Sequence, residues 1–291
     1  MYMKNRLPMA LLLLTLASIA SASGPRRGPI VRQVDRILIE SAEPKALFAF
    51  FSTELQLPEA WPLSGNQEYM SGGLGAGNTT IEIYRYARTG KDPEGKPAAA
   101  RFAGLALEPY PLADALDELK TRGIPYSLPQ PSISMLPDGT KGVVWTTVQL
   151  PSFSKPGVSV FLYEYSQAFL KVDVRRKQLG NRLTLNNGGP LGIQSVREVV
   201  LTAADLKKEA AAWQRLLGSQ TAPGKWSPGN GPSIKLAFGS RDRIQNIVIQ
   251  VRSLAQAKTF LKKKNLLGVT SSTEISVNPS GIQGLRIILV E

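Results

Sequence analysis

Apolar residues recur along this chain with two periods, and the switches between them mark its elements. VDRILIE (34–40) reads as a buried strand, and the segment after it places Leu47, Phe48, Phe51 and Leu55 on one face at helical spacing. Pro44 suits the first turn of that helix, predicted from Pro44 to Glu54, and TTIEIYRY (79–86) returns to strand character. The order then repeats. RFAGLALE (101–108) precedes a helix striped by Leu112, Ala115, Leu116 and Leu119 and ended by Gly123, and VVWTTVQLP and VSVFLYEY follow as strands. A third round runs from VREVVLT (196–202) through a helix with Leu206, Ala210, Trp213 and Leu217 to GPSIKLAFG. A fourth runs from RIQNIVIQV (243–251) through SLAQAKTFLKKKNLLG to GLRIILVE.

The repeat predicts an α+β fold of four tandem βαβββ units, paired into two domains over 29–167 and 191–291. The polar, Pro/Gly-rich stretch at 88–99 reads as a linker between the first two units. Residues 168–190 change character, with Arg175, Arg176, Lys177 and Arg182 followed by the turn chemistry of Asn186-Asn187-Gly188-Gly189-Pro190, and are predicted to link the two domains. Within the first strand, Arg36 is the anomaly. A buried, unpaired guanidinium is costly and cannot shed its proton, so it needs a partner.

Composition narrows the chemistry. The chain has 291 residues and 43% hydrophobic content, enough to bury a sizeable core. Its first 22 residues carry Lys4 and Arg6, a short apolar run from Met9 to Leu16, and Ala20-Ser21-Ala22, the pattern of an export signal with its cleavage site. The expected location is therefore secreted or periplasmic, without a lipid-modified cysteine, and no segment is apolar enough to span a membrane. The chain contains neither cysteine nor histidine. Zinc sites of ordinary ligation, Ser-His and Cys-His pairs and two-histidine iron sites are excluded, leaving oxygen ligands as the only route to a metal.

Lys and Arg number 35 against 22 acidic residues, but the excess is diffuse. Lys262, Lys263 and Lys264 end a helix, where positive charge complements the dipole. Basic residues are not interleaved with stacking aromatics, so no nucleic-acid partner is expected. The glycines of SGGLGAGN (71–78) precede a strand rather than a helix, which argues against a phosphate loop and leaves a tight turn or a loop open to ligand approach.

The quoted pieces, in this order and four times over, resemble the vicinal oxygen chelate superfamily, in its glyoxalase-like branch. The resemblance implies sheets curled around cavities, with divalent-metal ligands on the first and last strands of each unit. Carried onto this chain, those positions fall at Arg36, Glu82, Gly104 and near Leu162 in the first domain, and at Glu198, Lys235, Asn246 and Arg286 in the second. Only Glu82 of the first set could bind a metal, and the cations of the second set would repel one. No metal and no cofactor are therefore expected. Glu164, two residues along the strand from Leu162, would share its face.

The ligand-binding candidates are Arg36, Glu82, Glu164, Tyr84 and Trp145, with Trp61, Tyr69, Phe161 and Tyr163 as further cavity aromatics. Arg36 has two open roles: a structural ion pair with Glu82, or a clamp on an anionic group of a ligand. The leading reading is an exported, metal-independent binder of a small organic ligand, with anions among the candidates. An enzyme of the same fold is the alternative, a lyase, isomerase or hydrolase using Glu82 as general base and Arg36 to stabilise an anion. A non-binding scaffold is the third. The second domain is assigned a structural role or contact with a partner protein or a second copy.

Overall fold

The computed structural model describes residues 28–86 and 100–291. The expected export signal (1–22) and the expected linker at 88–99 lie outside these residues. Two curled mixed sheets organise the rest, one of eight strands and one of seven.

The first sheet holds two complete βαβββ units. Unit one is β1 (Val31–Ser41), α1 (Pro44–Ala49), β2 (Glu59–Gly65), β3 (Tyr69–Gly75) and β4 (Thr80–Tyr86). Helix α1 widens without a break into a π-helical turn over Phe50–Glu54, and Leu47, Phe48, Phe51 and Leu55 are buried as their spacing predicts. Unit two is β5 (Ala100–Pro109), α2 (Leu112–Thr121), β6 (Gln130–Met135), β7 (Lys141–Gln149) and β8 (Ser159–Tyr165). The strand order is β2-β3-β4-β1-β5-β8-β7-β6. Each unit's first strand pairs in parallel with its last, and β1 joins β5 antiparallel across the middle. Alternation sends Ile37, Ile39, Leu105 and Leu107 into the core beneath the helices and leaves Arg36, Leu38 and Ala106 on the opposite face.

The second sheet, in the order β10-β11-β9-β12-β15-β14-β13, differs from the predicted repeat. Its opening unit is β9 (Ile193–Ala203), α4 (Leu206–Leu217), β10 (Lys225–Trp226) and β11 (Ser233–Phe238), with two strands after the helix instead of three. The closing unit is complete: β12 (Arg243–Val251), α5 (Leu254–Lys263), β13 (Leu267–Thr270), β14 (Glu274–Val277) and β15 (Ile287–Val290). Helix α4 turns Glu209, Trp213 and Leu216 inward and leaves Leu206 exposed, a face offset from the predicted one. Lys155, from the β7–β8 turn, makes that inward Glu209 tolerable by pairing with it.

Residues 168–190 hold a 14-residue helix, α3 (Val172–Leu185), where a linker was predicted. It packs by two residues one turn apart, Leu179 and Leu183, both buried. Gly75 is what lets it approach, since a Cβ there would sit 2.9 Å from that of Leu179. The β3–β4 turn docks the two sheets together: Asn78 bonds to both the N–H and the carbonyl of Val196 and to the carbonyl of Asn230. Among the described residues no helix is long and apolar enough to cross a membrane.

Candidate functional site

The concave face of the first sheet, partly closed by the start of α3, encloses a cavity of about 550 Å³. It is walled by aromatic rings from both units, among them Trp61, Tyr84, Trp145, Phe161 and Tyr163, with Phe169 from the approach to α3. Arg36, Glu82 and Arg175 are its only lining residues of full charge among those described.

Arg36 reaches this face because β1 bulges beside it: the register with β5 shifts between Val34 and Arg36. The Thr79 hydroxyl donates to the freed Asp35 carbonyl at 3.0 Å. The guanidinium then lies 3.9 Å above the Tyr163 ring centroid, with Nη1 3.1 Å from Glu82 Oε2. Its Nε is 3.3 Å from Asp35 Oδ2, close enough for attraction but without hydrogen-bond alignment. Arg36 and Glu82 are 5% and 7% exposed, so each is the other's main compensation for lost water. Burial works against the Arg36 charge, but Tyr165, Glu82 and Asp35 outweigh it and hold its pKa above the ordinary value.

Both oxygens of Glu82 have partners. Its Oε1 accepts from Ser71 Oγ at 2.7 Å and from the Tyr69 hydroxyl at 3.2 Å, while Oε2 faces Arg36. Burial pushes the Tyr69 phenol above its usual range, and the neighbouring Glu82 charge adds to the shift. Burial does the same to Tyr163 against the opposing pull of Arg36, and to Tyr84, where Glu40 reinforces it. All three phenols therefore stay neutral at physiological pH.

The ion-pair network continues out of the cavity. Asp35 Oδ1 lies 3.2 Å from Arg176 Nη2 on α3, and the same nitrogen donates to Glu108 Oε2 at 2.8 Å. Arg36 thus links the cavity carboxylate to the helix that closes the cavity. That helix also brings Arg175 into the site. Arg175 donates to the Tyr165 hydroxyl at 3.0 Å, and its guanidinium sits 5.5 Å from the Trp61 ring and 5.1 Å from that of Tyr165.

The predicted site residues divide. Arg36, Glu82, Tyr84 and Trp145 share the cavity, as do Trp61, Tyr69, Phe161 and Tyr163. Glu164 does not. Leu162 and Glu164 do share a face, but it is the helix-side face: Leu162 is in the core, and Glu164 Oε1 accepts from the backbone N–H of Leu112 at 2.8 Å. There it caps α2, whose preceding residue, Pro111, has no side-chain oxygen to do so.

Ser71 to Gly75 is strand rather than turn, and its glycines make room for the protein itself: a Cβ on Gly73 would lie 2.3 Å from the Trp61 ring, and one on Gly72 2.6 Å from the Phe48 ring. Sequence reasoning missed Arg175 and Phe169 because it assigned their segment to a linker.

The positions where the fold resemblance implies metal ligands do not fit a metal. Arg36 carries a positive charge, Gly104 has no side chain, Leu162 is apolar, and both oxygens of Glu82 are occupied. In the second sheet, Glu198 pairs with Lys225 at 2.6 Å and faces Lys235 at 4.0 Å, Asn246 is buried, and Arg286 is exposed. The described residues contain no group of three or more acidic side chains able to hold an ion.

No family model matches the chain, and no curated protein matches it. Solved structures do share its fold. A hypothetical protein from Staphylococcus aureus superposes with a TM-score of 0.57 at 10% identity, covering 88% of this chain and 98% of its own. The 2,3-dioxygenase LapB from Pseudomonas sp. KL28 gives 0.57 at 11% identity, covering 90% and 92%. Homoprotocatechuate 2,3-dioxygenase from Brevibacterium fuscum gives 0.55 at 9% identity, covering 92% and 73%. The two dioxygenases are vicinal-oxygen-chelate folds, and at these identities what this chain shares with them is that fold.

Proposed function

We propose that this chain is an exported binding protein of vicinal-oxygen-chelate fold, whose first cavity takes a small organic ligand without a metal. The observation that carries the reading is an aromatic-walled cavity of about 550 Å³ whose single lining carboxylate is already committed to Arg36, Ser71 and Tyr69. Volume and lining are those of a small-molecule site. Export is supported by the Lys4/Arg6, apolar and Ala-Ser-Ala pattern of the N-terminus. Metal independence is supported by a guanidinium standing where the fold's metal ligand is expected.

Two of the solved structures that share the fold are named as dioxygenases, which keeps an enzyme as the competing reading. Against it stands the commitment of both candidate catalytic groups. Glu82 already accepts from Ser71 and Tyr69 and pairs with Arg36, which lowers its strength as a general base, and Arg36 is neutralised by Glu82 and Asp35 before any substrate arrives. A thermal-shift screen of the purified protein against a panel of small organic acids, alcohols and amines, followed by calorimetry on the hits, tests the binding claim. Saturable binding that survives dialysis against a chelator supports it. A panel without hits favours a scaffold, and a bound ion that resists the chelator overturns metal independence.

A further inference from the structure

Charge within the cavity is unevenly compensated. Arg36 and Glu82 neutralise each other, whereas Arg175 has a phenol and two ring faces for neighbours and, among the described residues, no carboxylate within ion-pair range. A guanidinium offers five N–H donors in a planar fork. One of Arg175's is shown engaged, by the Tyr165 hydroxyl. We propose that the cavity ligand is a flat aromatic monocarboxylate, and that Arg175, on the helix between the two sheets, is the residue that grips its carboxylate. This rests on the ligand-cavity reading above and names the ligand's class.

Three features converge on it. First, Arg36 is excluded as the anchor. It is almost fully buried under Tyr163 and spent on Glu82 and Asp35, while Arg175 is only partly buried. Second, the walls select shape. Trp61, seated against Gly73, lines the cavity together with Tyr84, Trp145 and Phe161, and this ring surface suits a planar ring. The same walls carry no free acid for a cationic ligand, which Arg175 would repel.

Third, the anchor is preorganised. Next to Arg175, Arg176 ties α3 to Asp35 and Glu108, Leu179 seats on Gly75, and Arg182 Nη1 donates to the Glu59 carbonyl at 3.1 Å. Holding the fork on a fixed helix lowers the ordering cost of binding a carboxylate.

Calorimetry of the purified protein with 2-naphthoate and its neutral counterpart 2-naphthalenemethanol tests the inference, with tryptophan fluorescence as a second readout. The wild type is expected to prefer the carboxylate by about tenfold or more, as one charge-assisted fork implies. In Arg175→Gln the two probes should bind within about twofold of each other. Near-UV circular dichroism and melting temperature should be unchanged, and Arg175→Lys should restore part of the preference.

If the wild type binds both probes equally, the anionic class is overturned. A preference that survives Arg175→Gln overturns the anchor. Neither probe binding, when the broader panel yields a ligand, overturns this inference alone; a panel without hits takes the cavity reading with it.

Discussion

Arg36 Nη1 and Glu82 Oε2 face each other at 3.1 Å on neighbouring parallel strands, both nearly sealed from water. Through Asp35 the same guanidinium connects to Arg176, so the pair binds the cavity floor to α3. A positive residue in an apolar strand is thereby explained as an internal tie.

The tie to α3 is separable from the cavity. Arg176→Ala leaves Arg36 and Glu82 in place but removes the partner shared by Asp35 and Glu108. Amide exchange across 172–185 should accelerate, with a global loss of about 1–3 kcal/mol for leaving hydrogen-bonded acids short of a donor. Exchange unchanged from wild type would show that Leu179 and Leu183 hold the helix unaided.

Glu164 should behave as a helix cap and not as a ligand residue. Glu164→Ala is expected to cost about 1 kcal/mol in urea unfolding, the range for losing an N-terminal acceptor. Affinity for any cavity ligand should stay within twofold, about 0.4 kcal/mol. A large fall in affinity at constant stability would return Glu164 to the site.

Gly73→Ala sets a methyl against the Trp61 ring, where a Cβ would lie 2.3–2.5 Å from its atoms. Displacing the indole should cost about 1–3 kcal/mol, change the near-ultraviolet dichroism, and weaken ligand binding because Trp61 is a wall of the cavity. Unaltered dichroism would mean the ring is not held there.

Alkaline pH should destabilise the fold through three tyrosines. Tyr69, Tyr84 and Tyr163 have folded-state pKa values raised above the ordinary 10.0, chiefly by burial. The unfolded chain then loses protons first, so their contribution is whole below pH 10 and declines as pH rises above it. Phenolate absorbance on titration should show the buried Tyr163 ionising only with unfolding, and Tyr69 and Tyr84 ionising later than free tyrosine. Replacing all three with Phe should flatten the alkaline limb of the stability curve; an unchanged limb would point to other groups.

How much of this was legible in the sequence depended on what each pattern encodes. The four strand-helix beginnings were visible because burial on one face imposes a period, and Arg36 with Glu82 followed from placing that period against a fold resemblance. Alternation gives parity but not which parity faces the cavity. In β8 both faces are hydrophobic, Leu162 toward the helices and Phe161 and Tyr163 toward the cavity, so Glu164 was assigned to the wrong side.

Helix α3 was hidden because it buries only Leu179 and Leu183 in a charged segment and gains its place from Gly75 and the acids of β1 and β5. That contact is tertiary. The glycines of β3 looked like a turn because their function is to admit Phe48 and Trp61, which lie elsewhere in the sequence.

The central claim is that Arg36 and Glu82 act as one internal unit, and a double-mutant cycle measures it directly. Unfolding free energies are needed for Arg36→Met, Glu82→Leu and the double variant. Each single change strands a buried charge and should cost about 3–5 kcal/mol. The double variant should recover most of that loss, giving a coupling of about 2 kcal/mol or more between residues in contact. Costs that add within about 0.5 kcal/mol would show two independent residues and contradict the account.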